Sequence, residues 1–493
     1  MALIIRNGLI VTPTADSVRS GRGTIRVEKD RIARIAWQGE AGSIEPASGD
    51  QVIDASKRLV MPGLVDAHAH FYGMLMPGLV ERLPLDMRMP YLAACFTGWE
   101  ERDASLSALL GAARMMRNGT TTVMENILQG VGDSEATVKA LVASGMRAVV
   151  GPMVADRPFY ETVPGYRECL PATLLEEGTR PPAGPPPAEV VAACRALAKR
   201  WHGAEGRISI CLSPSTPHRC TDRMLELLAE AAADDKLGVH THLLETRPQA
   251  AAARHLYGRS MVEHIEKLGL LRPGFLGAHS VWLSDADMDR MASVGAGISH
   301  NPLSNLYLGS GIARVPQLLK RGIAVGIGSD GPNCGSSTSL IEVMKLAAIV
   351  HRLGEPEGSR WPSAEDAFRM ATLGGARALG LDRDVGSLEV GKKADLVLLD
   401  AESPGFVPLN DPVMQLVFGE TGSAVRSVIV NGDFIVEDGR PTKLDMAQLI
   451  GEAAERGQRL AGRVREPLSR AARFEPYLRQ TYLALLREFE ERS

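Results

Sequence analysis

The sequence predicts an α/β chain: a (β/α)8 TIM barrel, a small β-sandwich built from both chain ends, and a C-terminal helical tail. Three observations carry this. Eight short apolar runs alternate with helix-like stretches through the middle of the chain. Short β-like runs, punctuated by Gly, Asn and Asp, flank that middle on both sides. Beyond residue 445 the apolar spacing turns helical. At 493 residues the chain exceeds what one small core organises, which fits a large barrel with an appended domain.

Residues 1–60 carry "LIIRNGLIVT", "GTIRVEKDRIARIA" and "QVIDASKRLV", each a short strand pattern bounded by turn residues. The same texture returns in "ADLVLLD" and "VRSVIVNGDFIVEDG", where Asn431-Gly432 is a hairpin signal because both residues tolerate positive φ. One sandwich from residues 1–60 and 384–445 is therefore expected. Between them, residues 61–383 contain "PGLVDA", "GTTTVM", "MRAVVGPM", "RISICLS", "LGVHTH", "FLGAH", "GAGIS" and "IAVGIGS". Helical stretches such as "DRMLELLAEAAADD" and "DADMDRMASV" separate most of them. Such alternation argues for parallel βαβ units, and eight of them suggest a closed barrel. Residues 159–188 break the rhythm. They end in "GTRPPAGPPPAE" and read as a stiff, non-helical excursion over one barrel face. Residues 446–493 form the tail, packed on the body or on another subunit.

Composition narrows the function classes. Apolar residues make up 45% and charged residues 23%, as in ordinary globular proteins. A formal charge of −4, with both signs mixed along the chain, gives no reason to expect a nucleic-acid or anionic-membrane partner. No run reaches the ~18 uncharged apolar residues of a membrane span. "MALIIRNGLIVT" reads as strand and turn, not as a signal peptide. The six cysteines are scattered without a Cys-x-x-Cys pair, which argues for reduced thiols in a cytoplasmic protein and against a thiolate zinc site.

The chemistry begins at "VDAHAH", residues 65–70. Alternate residues of an extended chain share a side, so His68 and His70 can reach one ion. An isolated His-x-His is as readily a pair of core or surface histidines, so the other strand ends decide. Catalytic groups of a (β/α)8 barrel sit at C-terminal strand ends. His242 ends "LGVHTH", His279 ends "FLGAH", His300 ends "GAGISH" and Asp330 ends "IAVGIGSD". His68, His70, His242 and Asp330 offer imidazole and carboxylate without thiolate, the donor set of a catalytic metal site. One Zn2+ per chain is expected, with Fe2+ or Mn2+ compatible. His240 shares the side of its strand with His242 one layer deeper, where it supports rather than ligates. His300 in "SHNP" reads as turn and support.

Together "VMPGLVDAHAH", "NGTTTV", "VHTHLLET", "GAHSVWLS", "ISHNPLSNLYLGSGIARVP", "GIAVGIGSDG", "ATLGGARALGL" and "GSLEVGKKADLVLLD" resemble the amidohydrolase superfamily. The likeness is to its branch of triazine chlorohydrolases and N-heterocycle aminohydrolases, and it spans nearly the whole chain. It implies that His68, His70 and His242 are metal ligands. Asp330 would hold the metal and take the water's proton. Glu245 would protonate the ring nitrogen or leaving group, and His279 would orient the attacking water. The sequence departs from the branch's adenosine-type members in two places. Pro77 stands where an arginine follows the first histidines, and Ser215 stands where a histidine follows a proline, with His218 three residues on. Both departures weigh against a nucleoside. The aromatic, methionine-rich "FYGMLM" suits a flat or apolar substrate, or ordinary core packing. No lysine follows the third or fourth strand in a place suited to a carbamylated dinuclear site.

The expected activity is hydrolysis of a C–N bond by metal-activated water, most simply deamination of an amino-substituted N-heteroaromatic compound. Cleavage of an amide, urea or carbamate C–N bond in an aryl or heteroaryl substrate is the alternative, since Glu245 serves either leaving nitrogen. A non-catalytic scaffold on the same fold is the remaining one. The partner expected is a small-molecule substrate, and a homodimer or homotetramer is expected in solution.

Overall fold

In the computed structural model, which describes residues 2–40, 42–128, 134–178, 184–335 and 337–492, the strands fall into two nine-stranded sheets. The first sheet draws on both chain ends. Ala2–Pro13, Val18–Glu28, Arg31–Trp37, Gln51–Asp54 and Arg58–Pro62 join Leu396–Asp400, Val425–Val430, Asp433–Glu437 and Arg440–Pro441. The seam is the antiparallel pairing of Leu396–Asp400 with Arg58–Pro62. Period-2 alternation assigns its faces. Leu396 and Leu398 pack with Ile5, Ile25, Val60 and Ile429 inside the sheet's own core. Val397 and Leu399 point the other way, into the large core shared with the barrel. At the hairpin Asn431 has φ 52° and Gly432 φ 82°, the pair of positive values that the Asn-Gly signal requires.

The second sheet is the barrel. Its strands are Leu64–Ala69, Thr120–Ile127, Arg147–Val154, a fourth broken into Ile208–Ile210 and Ser213–Pro214, then Val239–Leu243, Phe275–His279, Gly297–His300 and Ala324–Ile327. All eight apolar runs are found as parallel strands. The last pairs back onto the first at Ile327 and Asp66, and a Leu212–Val239 bridge closes the fourth onto the fifth. Thr120–Ile127 and Arg147–Val154 are buried along their whole length, as parallel strands covered on both sides must be. The chain crosses between sheets at Gly63, where a Cβ would stand 2.0 Å from the Thr121 hydroxyl oxygen. Only glycine permits that approach.

The helices follow their patterns. In Asp222–Asp234 the buried residues Met224, Leu225, Leu228, Ala229, Ala231 and Ala232 recur at helical spacing, and the Thr221 hydroxyl accepts from the Met224 amide at the N-terminus. Asp285–Ser293 starts with a reciprocal Ser284–Asp287 capping box.

The expectation of a non-helical excursion over residues 159–188 is corrected. Tyr166–Cys169 and Ala172–Gly178 are short helices, and Pro187 opens the helix Pro187–Trp201. The prolines cluster at the end of the segment, so "ATLLEE" is free to coil, and proline at a first helical position costs nothing. Residues 179–183 lie outside the described residues. Tyr160, Val163, Tyr166 and Leu174 share an apolar cluster with Leu75 and Met87 of the loop after the first barrel strand, and with Phe474 and Leu478 of the tail. The tail helices Met446–Arg463, Arg465–Ala472 and Glu475–Arg492 therefore pack on the chain's own body. Arg456 reaches the buried Asp103, and Arg247 reaches Glu490. The excursion, the first loop and the tail all lie over the C-terminal end of the barrel. Among the described residues, no helix is long and apolar enough to cross a membrane.

Candidate metal centre and active site

The strand ends converge as the spacing predicts. Asp330 bridges Ala69 in parallel register, and its amide donates to the His68 carbonyl at 2.9 Å, which sets it beside both first-strand histidines. His242 and His279 arrive from paired neighbouring strands. Among the described residues eleven non-glycine residues have positive φ, and four of them, Leu244, His279, Ser280 and Asp330, are at these strand ends. Such conformations cost ~1 kcal/mol or more each and concentrate where function fixes the chain.

Hydrogen bonds fix each imidazole. The Nδ1–H of His70 donates to the Asn126 carbonyl at 2.8 Å, that of His242 to the Ser215 carbonyl at 2.6 Å, and that of His279 to Asn305 Oδ1 at 2.8 Å. His68 Nδ1 stands 3.1 Å from His240 Nε2. The bonds to oxygen leave the Nε2 lone pairs of His70, His242 and His279 pointing into the same space, and His68 joins them when its Nδ1 carries the proton. His70 Nε2 and His242 Nε2 lie 3.1 Å apart, and with both Nδ1 protonated neither can donate to the other. Among the described residues, the buried His68 Nε2 and His279 Nε2 have no hydrogen-bond partner. Asp330 Oδ1 is 3.6 Å from His68 Nε2 and 3.5 Å from His70 Nε2. Two donors held ~2.0–2.1 Å from one ion in tetrahedral geometry stand about 3.3 Å apart, so this donor set fits a divalent metal. His68, His70 and His242 form one compact donor group, and His68, His279 and Asp330 form another.

Burial, then the mutual repulsion of the imidazoles, holds His68 well below the ordinary histidine value, and burial pushes His242 down to about 3. His70 and His279 are lowered by burial as well. Neutral rings are what a metal requires. At Asp330 burial pushes the carboxyl up, but His279, His70 and His242 outweigh it and leave the group below the usual range. Glu245 behaves oppositely. It is 2% exposed, and burial with the nearby Asp330 and Asp86 charges raises its carboxyl well above the ordinary value. Ser310 Oγ donates to Glu245 Oε1 at 3.3 Å, and Glu245 Oε2 is 3.6 Å from His279 Nε2. Burial thus favours the neutral form of Glu245 while the imidazoles favour the charged form of Asp330, the separation that acid–base chemistry needs.

His300 stays outside the cluster. It is buried, neither ring nitrogen has a hydrogen-bond partner among the described residues, and its ring centroid lies 5.4 Å from that of His351. His218 is buried beside Arg219 and Arg157 and does not replace the histidine missing at Ser215. Of "FYGMLM", Phe71 and Met74 belong to the large core, while the Tyr72 ring tilts against His70 with centroids 4.9 Å apart. Both readings of that loop apply, to different residues.

Several supporting residues escaped the sequence reading. Asp66 Oδ1 accepts from the His68 and Ser329 amides, tying the first and last strand ends together. Asn305, Ser304 and Ser310 serve His279, Asp330 and Glu245 in turn. The signal for these three was the polar density of "SHNPLSNLYLGSG". The six cysteines are free thiols, four of them buried.

The chain matches the amidohydrolase family over residues 59–435. It is 33% identical over 464 residues to a 5'-deoxyadenosine deaminase of Methanosarcina mazei, covering 94% of this chain and 99% of that one. Against a 5-methylthioadenosine/S-adenosylhomocysteine deaminase of Moorella thermoacetica it is 33% identical over 465 residues, covering 92% and 99%. The zinc-bound adenosine deaminase of Xanthomonas campestris superposes with a TM-score of 0.82 at 26% identity, covering 93% and 98%. The atrazine chlorohydrolase TrzN of Arthrobacter aurescens, complexed with zinc, gives 0.81 at 25% identity, covering 92% and 99%. Family match, barrel and strand-end donors agree: this chain is a member of the amidohydrolase family.

Proposed function

We propose that the protein is a zinc-dependent hydrolase that deaminates an amino-substituted N-heteroaromatic compound. One Zn2+ per chain would be held by His68, His70, His242 and Asp330. The observation that carries this is the convergence of Nε2 lone pairs, each ring locked by its own Nδ1 hydrogen bond, on a space shared with Asp330. When bound, the ion polarises water and lowers its pKa towards ~7.

The chain's own groups do the rest. Asp330 accepts the proton of the attacking water. His279 aims its Nε2 lone pair at that water and fixes its approach. Glu245, kept protonated by burial, gives its proton to the ring nitrogen or the departing amine, and a carbonyl and ammonia result. His242 is the least buried of the three ligand histidines, which marks the side from which substrate enters. Relatives named as deaminases of 5'-deoxyadenosine and 5-methylthioadenosine support deamination over amide or urea cleavage, despite Pro77 and Ser215. A cytoplasmic homo-oligomer completes the reading.

The test is metal analysis of the purified protein together with a panel of aminopyrimidines, aminopurine nucleosides, triazines, anilides and arylureas. Ammonia release from an amino-heterocycle with about one zinc per chain is expected. Release of an arylamine alone would move the assignment to amide or urea hydrolysis.

A further inference from the structure

The helix Leu85–Cys95 carries a charge that the reaction leaves idle. Arg88 is 3% exposed, and among the described residues its Nε and Nη1 have no hydrogen-bond partner. Its Nη2 donates to the Asn333 carbonyl. Among the described residues it forms no ion pair. The nearest acid in sequence, Asp86, is two positions away, and residues so spaced on a helix do not face each other. The Asp86 carboxylate bonds Thr246 instead. A guanidinium cannot shed its proton to escape burial, as a lysine can. A buried cation without a partner is costly, so an anion is the group that would complete this site.

The surroundings say where that anion comes from. Arg88 lines a cleft with Gly73, Met76, Cys95, Phe96 and Asn333. Tyr72 connects the cleft to the metal centre: its ring lies 5.3 Å from Phe96 on one side and 4.9 Å from His70 on the other. Tyr72 and Cys334 both feel the charges of Arg88 and Asp330. The Tyr307 ring, 42% exposed, lies 6.0 Å from the guanidinium, between it and solvent. Tyr72, Phe96 and Tyr307 therefore offer flat faces between solvent, Arg88 and the ligand histidines.

We propose that Arg88 is a specificity residue that binds a carboxylate carried by the substrate, making the preferred substrate an anionic amino-heteroaromatic compound. This rests on the deaminase reading above. One buried cation matches one carboxylate, whereas a phosphate dianion would bring a second, unmatched charge into the same apolar cleft. The planar guanidinium also suits the planar carboxylate better than any other cationic side chain.

The experiment compares wild type, Arg88→Met and Arg88→Lys on matched pairs: cytosine-5-carboxylate with cytosine, and 5'-carboxyadenosine with 5'-deoxyadenosine. In wild type, kcat/KM favours the carboxylate in at least one pair. That ratio falls ~10–100-fold in Arg88→Met, the loss of one hydrogen bond to a charged group. Arg88→Lys, which keeps the charge without the fork, falls in between. A preference unchanged by both substitutions overturns the proposal, as does a wild type without preference. Calorimetric titration with pyrimidine-5-carboxylate and pyrimidine needs no turnover. Tighter binding of the carboxylate by wild type, lost on substitution, supports Arg88 even if no compound releases ammonia, in which case only the deaminase reading fails. Equal binding of the two overturns the role of Arg88.

Discussion

Replacing His240 by phenylalanine tests the proposed metal centre one bond behind its proposed ligands. His68 can offer Nε2 to an ion only if its proton sits on Nδ1, which must then donate to His240 Nε2 at 3.1 Å. His240 must then carry its proton on Nδ1, and the Asn126 amide nitrogen 3.4 Å away has to turn aside so that Oδ1 can accept it. That amide bonds the Ser213 hydroxyl at 2.7 Å, and the hydroxyl can donate or accept as the amide turns. Phenylalanine keeps the ring and removes the acceptor. In the metal-loaded protein a buried Nδ1–H then has no partner, a penalty of ~1–3 kcal/mol. Without metal, His68 can move its proton to Nε2 beside Asp330, so the penalty falls on the loaded state alone. Zinc affinity should fall by ~10–100-fold, in line with the usual cost of losing a ligand's supporting partner. Competition with a chromophoric chelator measures it, with the apo melting temperature as a control on folding. An unchanged affinity would refute the relay. Complete loss of binding even at high zinc would make His240 a ligand.

Other outcomes follow from the same geometry. Glu245→Gln should keep its zinc and lose ~10²–10⁴-fold in turnover, since glutamine cannot yield a proton; loss of the ion would instead identify Glu245 as a ligand. His68→Ala should abolish both metal content and activity, because it removes one of the four proposed donors; retention of the ion would mean that His279 takes the vacated place. The His218 imidazole is pushed from 6.5 down to about 3, first by burial and then by Arg219 and Arg157. The unfolded chain binds that proton below 6.5 and the folded chain does not, so stability falls with pH by ~1.4 kcal/mol per unit across that window. Urea denaturation of His218→Asn should therefore show ~2 kcal/mol less change between pH 7 and pH 5 than wild type. Parallel slopes in the two proteins would contradict it.

The barrel and the donor residues were legible because local rules encode them. Eight apolar runs separated by capped, amphipathic stretches allow few arrangements other than parallel βαβ units, and an Asn-Gly pair allows few turns other than the one observed at Asn431-Gly432. A histidine or aspartate at the end of such a run is carried by topology to the C-terminal rim, so His68, His70, His242, His279, His300 and Asp330 could be grouped without knowing a single distance, although the structure leaves His300 outside the cluster. Charge states and supports could not be read that way. That Glu245 is buried rather than an exposed carboxylate, with its carboxyl raised first by burial and then by Asp330 and Asp86 against the opposing Ser310 hydrogen bond, depends on residues that lie far from it in sequence. The helical turns within residues 159–188, and the seating of the tail over the barrel mouth, follow from an apolar cluster assembled from three separate segments. Arg88 has no sequence signature at all: an arginine on a surface helix is ordinarily solvated, and only the packing of that helix over the first-strand loop leaves this one buried and, among the described residues, without an ion-pair partner. Strand-end chemistry is set by neighbours along the chain, whereas burial and electrostatics are set by whichever segments meet in space, and only the tertiary structure decides that.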